Sequence, residues 1–143
     1  MRTVRRWAGL LPLALLATLP GCGRDNGLPT DLARHLARAG IRIEPLRTHA
    51  PWSSRGGYLV VKRTDGLAAR IVSEFGLEPV TPGGREWKDV AVRVGVPTGI
   101  RRMWGLSGRP ARFRLGDGGQ FENFYVVLTE AGELYLAAEY AYG

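Results

Sequence analysis

In "PTDLARHLARAGIRI", residues 29–43, the apolar side chains Leu32, Ala33, Leu36 and Ala37 recur at spacings of three and four, and Arg34 and Arg38 share another face. That is the stripe of an amphipathic helix. Thr30 is placed to cap it, Asp31 lies in the first turn near the positive end of the helix dipole, and Gly40 ends it. Ile41 and Ile43 then alternate with polar residues, which predicts a short strand interrupted by Pro45. Residues 47–57 read as a loop, and "YLVVKR", Tyr58 to Arg63, as a strong strand. A second helical stripe follows in Leu67, Ala68, Ile71, Val72 and Phe75, with Gly76 as its stop. Its rival is a hairpin turn at Asp65-Gly66; the spacing favours the helix.

The period changes in the second half of the chain. "DVAVRVGV" sets Val90, Val92, Val94 and Val96 on one face of a predicted strand. Residues 97–110 show no clear period, "ARFRL" predicts a short strand, and residues 116–119 a turn. "NFYVVL" and "ELYLAAEYA" form the clearest hairpin, joined across residues 129–132. Two helices each need an apolar surface to cover. The sequence therefore predicts an α+β domain over residues 30–143, with an antiparallel sheet of five to six strands and both helices packed on one face. The expected core includes Leu36, Ile43, Val60, Ile71, Phe75, Val92, Phe113, Val126, Leu128 and Leu136.

Residues 1–22, "MRTVRRWAGLLPLALLATLPGC", follow another logic. Arg2, Arg5 and Arg6 precede an apolar run from Trp7 to Leu19. A membrane-spanning helix needs about 20 apolar residues, so this run is too short to cross and instead has the form of a secretory signal. Leu19-Pro20-Gly21-Cys22 resembles the lipobox of bacterial lipoproteins, with Leu19, Gly21 and Cys22 matching. The resemblance covers these 22 residues and concerns address alone. It implies a diacylglycerol thioether on the Cys22 sulfur and cleavage before Cys22, leaving residues 1–21 as the signal peptide and 22–29 as a lipidated cysteine with a short tether. Cys22 is the one cysteine of the chain, so no disulfide framework competes for it. With Gly23 rather than an acidic residue after it, the expected address is the outer membrane, facing the periplasm.

Composition changes this picture little. The chain carries a formal net charge of +7 over 143 residues; setting aside the three leader arginines leaves 17 basic against 13 acidic residues. That is short of the charge of a dedicated nucleic-acid binder, and no nucleic-acid partner is expected. Catalytic sets are scarce. His49 stands near Ser53 and Ser54 without a nucleophile elbow around them, and His35 and His49 have no ligand spacing for a metal. The glycines at 83–84 and 116–119 match neither phosphate-cradling motif. No cofactor, metal or catalytic residue is assigned.

Two constellations remain as candidate binding surfaces. Strand alternation puts Arg93, Arg112, Arg114, Tyr125 and Tyr135 on the sheet face opposite the helices, where arginine forks beside aromatic rings suit phosphate or carboxylate groups. Glu133 and Glu139 share the parity of Tyr135, and the favoured reading of this face is one solvated by Arg–Glu pairs. The segment from Gly99 to Arg114 carries Arg101, Arg102 and Trp104; it can be a basic amphipathic loop that meets anionic head groups, but the favoured reading packs Trp104 back onto the core and leaves the arginines solvated. The functional expectation is a membrane-anchored lipoprotein acting as a non-enzymatic binding or assembly module for a protein or an anionic envelope component. The alternatives are a protective lipoprotein of the toxin-immunity type and a cell-surface hydrolase.

Overall fold

A computed structural model of the protein describes residues 25–95, 99–106, 113–115 and 119–140, the side chains at 113–115, 119, 120 and 122 excepted. Residues 1–24 with Cys22, as well as Val96 and Arg112, lie outside the described residues. The elements are α1 (Leu28–Arg38), β1 (Pro45–His49), β2 (Gly56–Val61), α2 (Leu67–Phe75), β3 (Glu78–Pro79), α3 (Arg85–Val94), β4 (Ile100–Gly105), β5 (Phe113–Leu115), β6 (Gly119–Thr129) and β7 (Leu134–Tyr140). The fold is α+β, built on one antiparallel sheet with the order β1-β2-β7-β6-β4-β3, and β5 pairs with the start of β6.

Helix α1 starts earlier than Thr30. Asp25 pairs with Pro51, Asp25 Oδ1 accepts from the Gly27 N–H at 2.8 Å, and Asn26 Oδ1 accepts from the Leu28 N–H at 3.0 Å. These Asx contacts satisfy donors at the helix start. Leu28, Leu32 and Leu36 are fully buried against Leu59, Phe121, Phe124, Val126 and Leu136, together with Ile71 from α2. Burying a leucine of this kind contributes about 1.5–3 kcal/mol. Both predicted helices cover this one face, as expected.

The opposite face is where the structure departs from expectation. Residues 85–94 are helix α3. Val90 and Val94 are buried one turn apart against Val60, Met103, Tyr125, Val127 and Tyr135, whereas Val92 is 82% exposed. The regular alternation of valines imitates a strand. The chain also carries the helical reading: Glu86, Val90, Arg93 and Val94 share one face, with Gly84 and Gly95 at the ends. The sheet is thus covered on both sides, by α1 and α2 on one and α3 on the other.

Two smaller differences concern the strands themselves. Residues 45–49, read as the interrupted end of one strand and the start of a loop, form edge strand β1, hydrogen-bonded to β2 and exposed along its length. Residues 100–105, read as aperiodic, form β4 between β6 and β3. A register break between Ile100 and Arg102 is what hid its period. Of the expected core, Leu36, Val60, Ile71, Val126, Leu128 and Leu136 are buried, Ile43 and Phe75 are partly so, and the Phe113 side chain lies outside the described residues.

Candidate binding cleft

The carboxyl end of β7 gathers groups from four elements. Between Glu122 and Tyr125, β6 has one more residue than β7 has between Ala137 and Glu139. This bulge sets Asn123 at φ 50, a left-handed conformation that asparagine tolerates better than most residues. It also returns Phe124 to the same face as Phe121 and turns the Asn123 amide toward β7. Asn123 Nδ2 donates to Glu139 Oε2 at 3.1 Å, and Arg93 Nη1, from the last turn of α3, donates to Glu139 Oε1.

Burial pushes the Glu139 carboxyl up, but the Asn123 amide and the Arg93 guanidinium outweigh it and hold the group below the usual carboxylate range. The same guanidinium lies over the Tyr125 ring, 5.6 Å from its centroid. At the other end of α3, Tyr125 Oη donates to Glu86 Oε1 at 2.6 Å. Burial and this bond push the Tyr125 phenol far up. Helix α3 is therefore fastened to the sheet by a polar contact in its first turn and another in its last.

Beside Arg93 and Glu139 opens a cavity of about 230 Å³, lined also by His49, Ser54, Tyr58 and Asn123. Its floor includes Gly56 and Gly57. A Cβ at Gly57 would stand 2.5 Å from the His49 carbonyl oxygen and 2.7 Å from Ala50 Cβ, so the glycine lets β1 and β2 approach here. The His49 ring meets Tyr58 at 5.3 Å, and Tyr58 meets Tyr135 edge-on at 5.4 Å. Arg47 then closes the row, donating to Tyr135 Oη at 2.8 Å and to Glu133 Oε2 at 2.9 Å.

Of the residues singled out in the sequence, Arg93 and Tyr125 do meet, although Arg93 arrives on a helix rather than a strand. Tyr125 and Tyr135 have the expected parity, opposite the face packed by α1 and α2. They are 6% and 1% exposed because α3 and neighbouring side chains cover that face, so they do not form an open aromatic surface. Arg114 lies on β5, paired with Gln120, and its side chain, like Arg112, is outside the described residues. Arg101 and Arg102 are exposed on β4, and Arg102 lies 4.8 Å over the Trp104 ring. Trp104 packs back onto the core of the α1 and α2 face, so these three residues belong to a strand away from the cleft.

Sequence reasoning missed Asn123, Arg47 and the placement of His49. The bulge has no local signature beyond an asparagine between two phenylalanines. Arg47 and His49 were hidden because β1 lacks apolar alternation. His49, Ser54 and Glu139 line one cavity, yet their bonds lead elsewhere: Ser54 Oγ accepts from the Gly56 N–H, and Glu139 is held by Arg93 and Asn123. This is not the connected nucleophile–base–orienter chain that acyl transfer uses. Among the described residues, no three His, Cys, Asp or Glu side chains are grouped to hold a metal ion. No family model matches the chain, and comparison with curated proteins and with solved structures gives no match.

Proposed function

We propose that the protein is a non-enzymatic binding module of the bacterial envelope, anchored by lipid on Cys22 and facing the periplasm from the outer membrane, whose Arg93–Glu139 cleft engages an anionic group of an envelope component. The observation that supports this reading is the guanidinium held at the rim of a cavity by a carboxylate that has a second donor. Arginine carries five N–H donors in a planar fork. Glu139 accepts from Nη1, and the Asn123 amide gives that carboxylate a second donor. A phosphate or carboxylate entering the cavity can therefore engage Arg93 with Glu139 still partnered. Arg55, exposed at the mouth, adds positive charge there.

A photoreactive amino acid at position 49, which lines the cavity outside the Pro51–Arg55 turn, in the lipidated protein in cells, tests the reading. The expected adduct is a phospholipid or glycan, lost when Arg93→Gln is combined with the probe. A protein adduct lost in the same variant would instead favour the protective, immunity-type role. Adducts indifferent to Arg93 would remove the cleft from the function. Intact mass of the exported protein checks the anchor, with a diacylglycerol thioether on Cys22 as the expected result.

A further inference from the structure

The chain leaves the described fold beside one turn. Asp25 stands three positions after Cys22 and pairs with Pro51. The Asn26 N–H donates to Ala50 O at 3.0 Å, and Asn26 Nδ2 donates to Ser54 O at 3.0 Å and Gly56 O at 2.8 Å. The turn from Pro51 to Arg55, closed by the Ser54 N–H on Pro51 O at 2.9 Å, is thus stitched to the segment that leads to the cysteine. Three residues span at most about 11 Å at 3.3–3.6 Å each. That is far less than the tether of seven residues expected from a fold beginning at Thr30. At the tip of this turn Trp52 is 72% exposed, and Arg55 is exposed beside it. An indole is suited to the head-group layer, having an apolar body and one N–H donor, and arginine is suited to anionic lipid at the same depth.

We propose that the Pro51–Arg55 turn is the surface on which the protein lies against the bilayer, with Trp52 in the interfacial layer and Arg55 among anionic head groups. This rests on the lipid anchor at Cys22. The occupant is the membrane itself, because the fold reaches the anchor point here and the exposed aromatic lies at the same place. The cleft opens at this end of the sheet, since Pro51, Ser54 and Arg55 line it as well.

The test uses the mature lipoprotein in vesicles of phosphatidylethanolamine and phosphatidylglycerol. Trp87→Phe with Trp104→Phe leaves Trp52 as the reporter. The expected result is co-flotation with vesicles, a blue shift of Trp52 emission, and its loss to lipids brominated near the head group. A second reporter, Leu46→Trp in a Trp52→Phe, Trp87→Phe, Trp104→Phe chain, sits toward the other end of β1 and should keep its emission. Should the tryptophan replacements unfold the protein, the difference between wild type and Trp52→Phe gives the same readout. Flotation without quenching of Trp52 overturns the docking surface and leaves the anchor standing. Failure to float, with a bare Cys22 thiol by mass, overturns both.

Discussion

Glu139 owes its lowered pKa to two neighbours. Burial alone raises a carboxyl pKa, and here the Asn123 amide and Arg93 reverse the sign. A carboxylate whose pKa is lowered in the fold adds stability above its unfolded pKa, and that stability is lost as pH falls through the lowered value. Arg93→Gln removes the largest charge facing it. The Glu139 carboxyl should then titrate higher, which carbon NMR of the labelled side chain reads directly. Acid unfolding of the variant should begin at higher pH than in the wild type. His35 carries the opposite charge type. Burial and Arg38 lower its pKa against the pull of Glu74, so the fold favours the neutral ring. Its contribution is complete above the ordinary histidine range and fades as pH falls through the lowered value. His35→Gln should flatten that slope of stability against pH, as urea midpoints across the acid range would show. Gly57 makes a third residue-scale case. Its missing Cβ is replaced by backbone atoms of β1, which cannot step aside as a flexible side chain could. Gly57→Ala should destabilise by about 1–3 kcal/mol, in the range of overpacked sites, measured by urea denaturation.

At the scale of elements, α3 decides the architecture. If it were the strand that its valines imitate, Val90, Val92 and Val94 would be equivalent. In the helix they are not, because 100° per residue puts Val92 away from the face shared by Val90 and Val94. Val90→Ala and Val94→Ala should each cost about 0.5–3 kcal/mol, while Val92→Ser should stay within about 0.5 kcal/mol. Equal losses at all three positions would contradict the helix. The contrast also explains what sequence could reveal. The β6–β7 hairpin and β2 were legible as continuous apolar runs, buried on both faces, and α2 as an apolar stripe at helical spacing. Helix α3 was misread as a strand, because its β-branched side chains alternate over a few residues as they would on one. Strand β1 was illegible because an edge strand exposed along its length needs no apolar alternation. The cleft inherits these difficulties: Arg93 comes from the misread helix, His49 from the illegible strand, and Asn123 from a bulge that shifts register without changing composition.

Across the whole molecule, the two apolar clusters share the same strands. Leu59 and Val61 face α1 and α2, and Val60 faces α3; Val126 and Val127 divide in the same way. Neither layer of helices can detach without exposing the back of a sheet that the other needs. Denaturation should therefore be a single transition, with far-ultraviolet circular dichroism and tryptophan fluorescence superimposing. Separate transitions would show that α3 is an independently docked element.

The sheet ends on β1 at one edge and β3 at the other. Strand β1 opens with Pro45 and breaks register before Arg47, and β3 is only Glu78 and Pro79. Proline has no N–H to offer a new strand, and a bulged or very short edge gives an incoming chain little to follow. On the proposed lipid anchor, the molecules would be confined to a surface, where neighbours meet far more often than in free solution. Blunted margins of this kind allow such a crowded population to slide past one another as separate particles instead of zipping into ribbons.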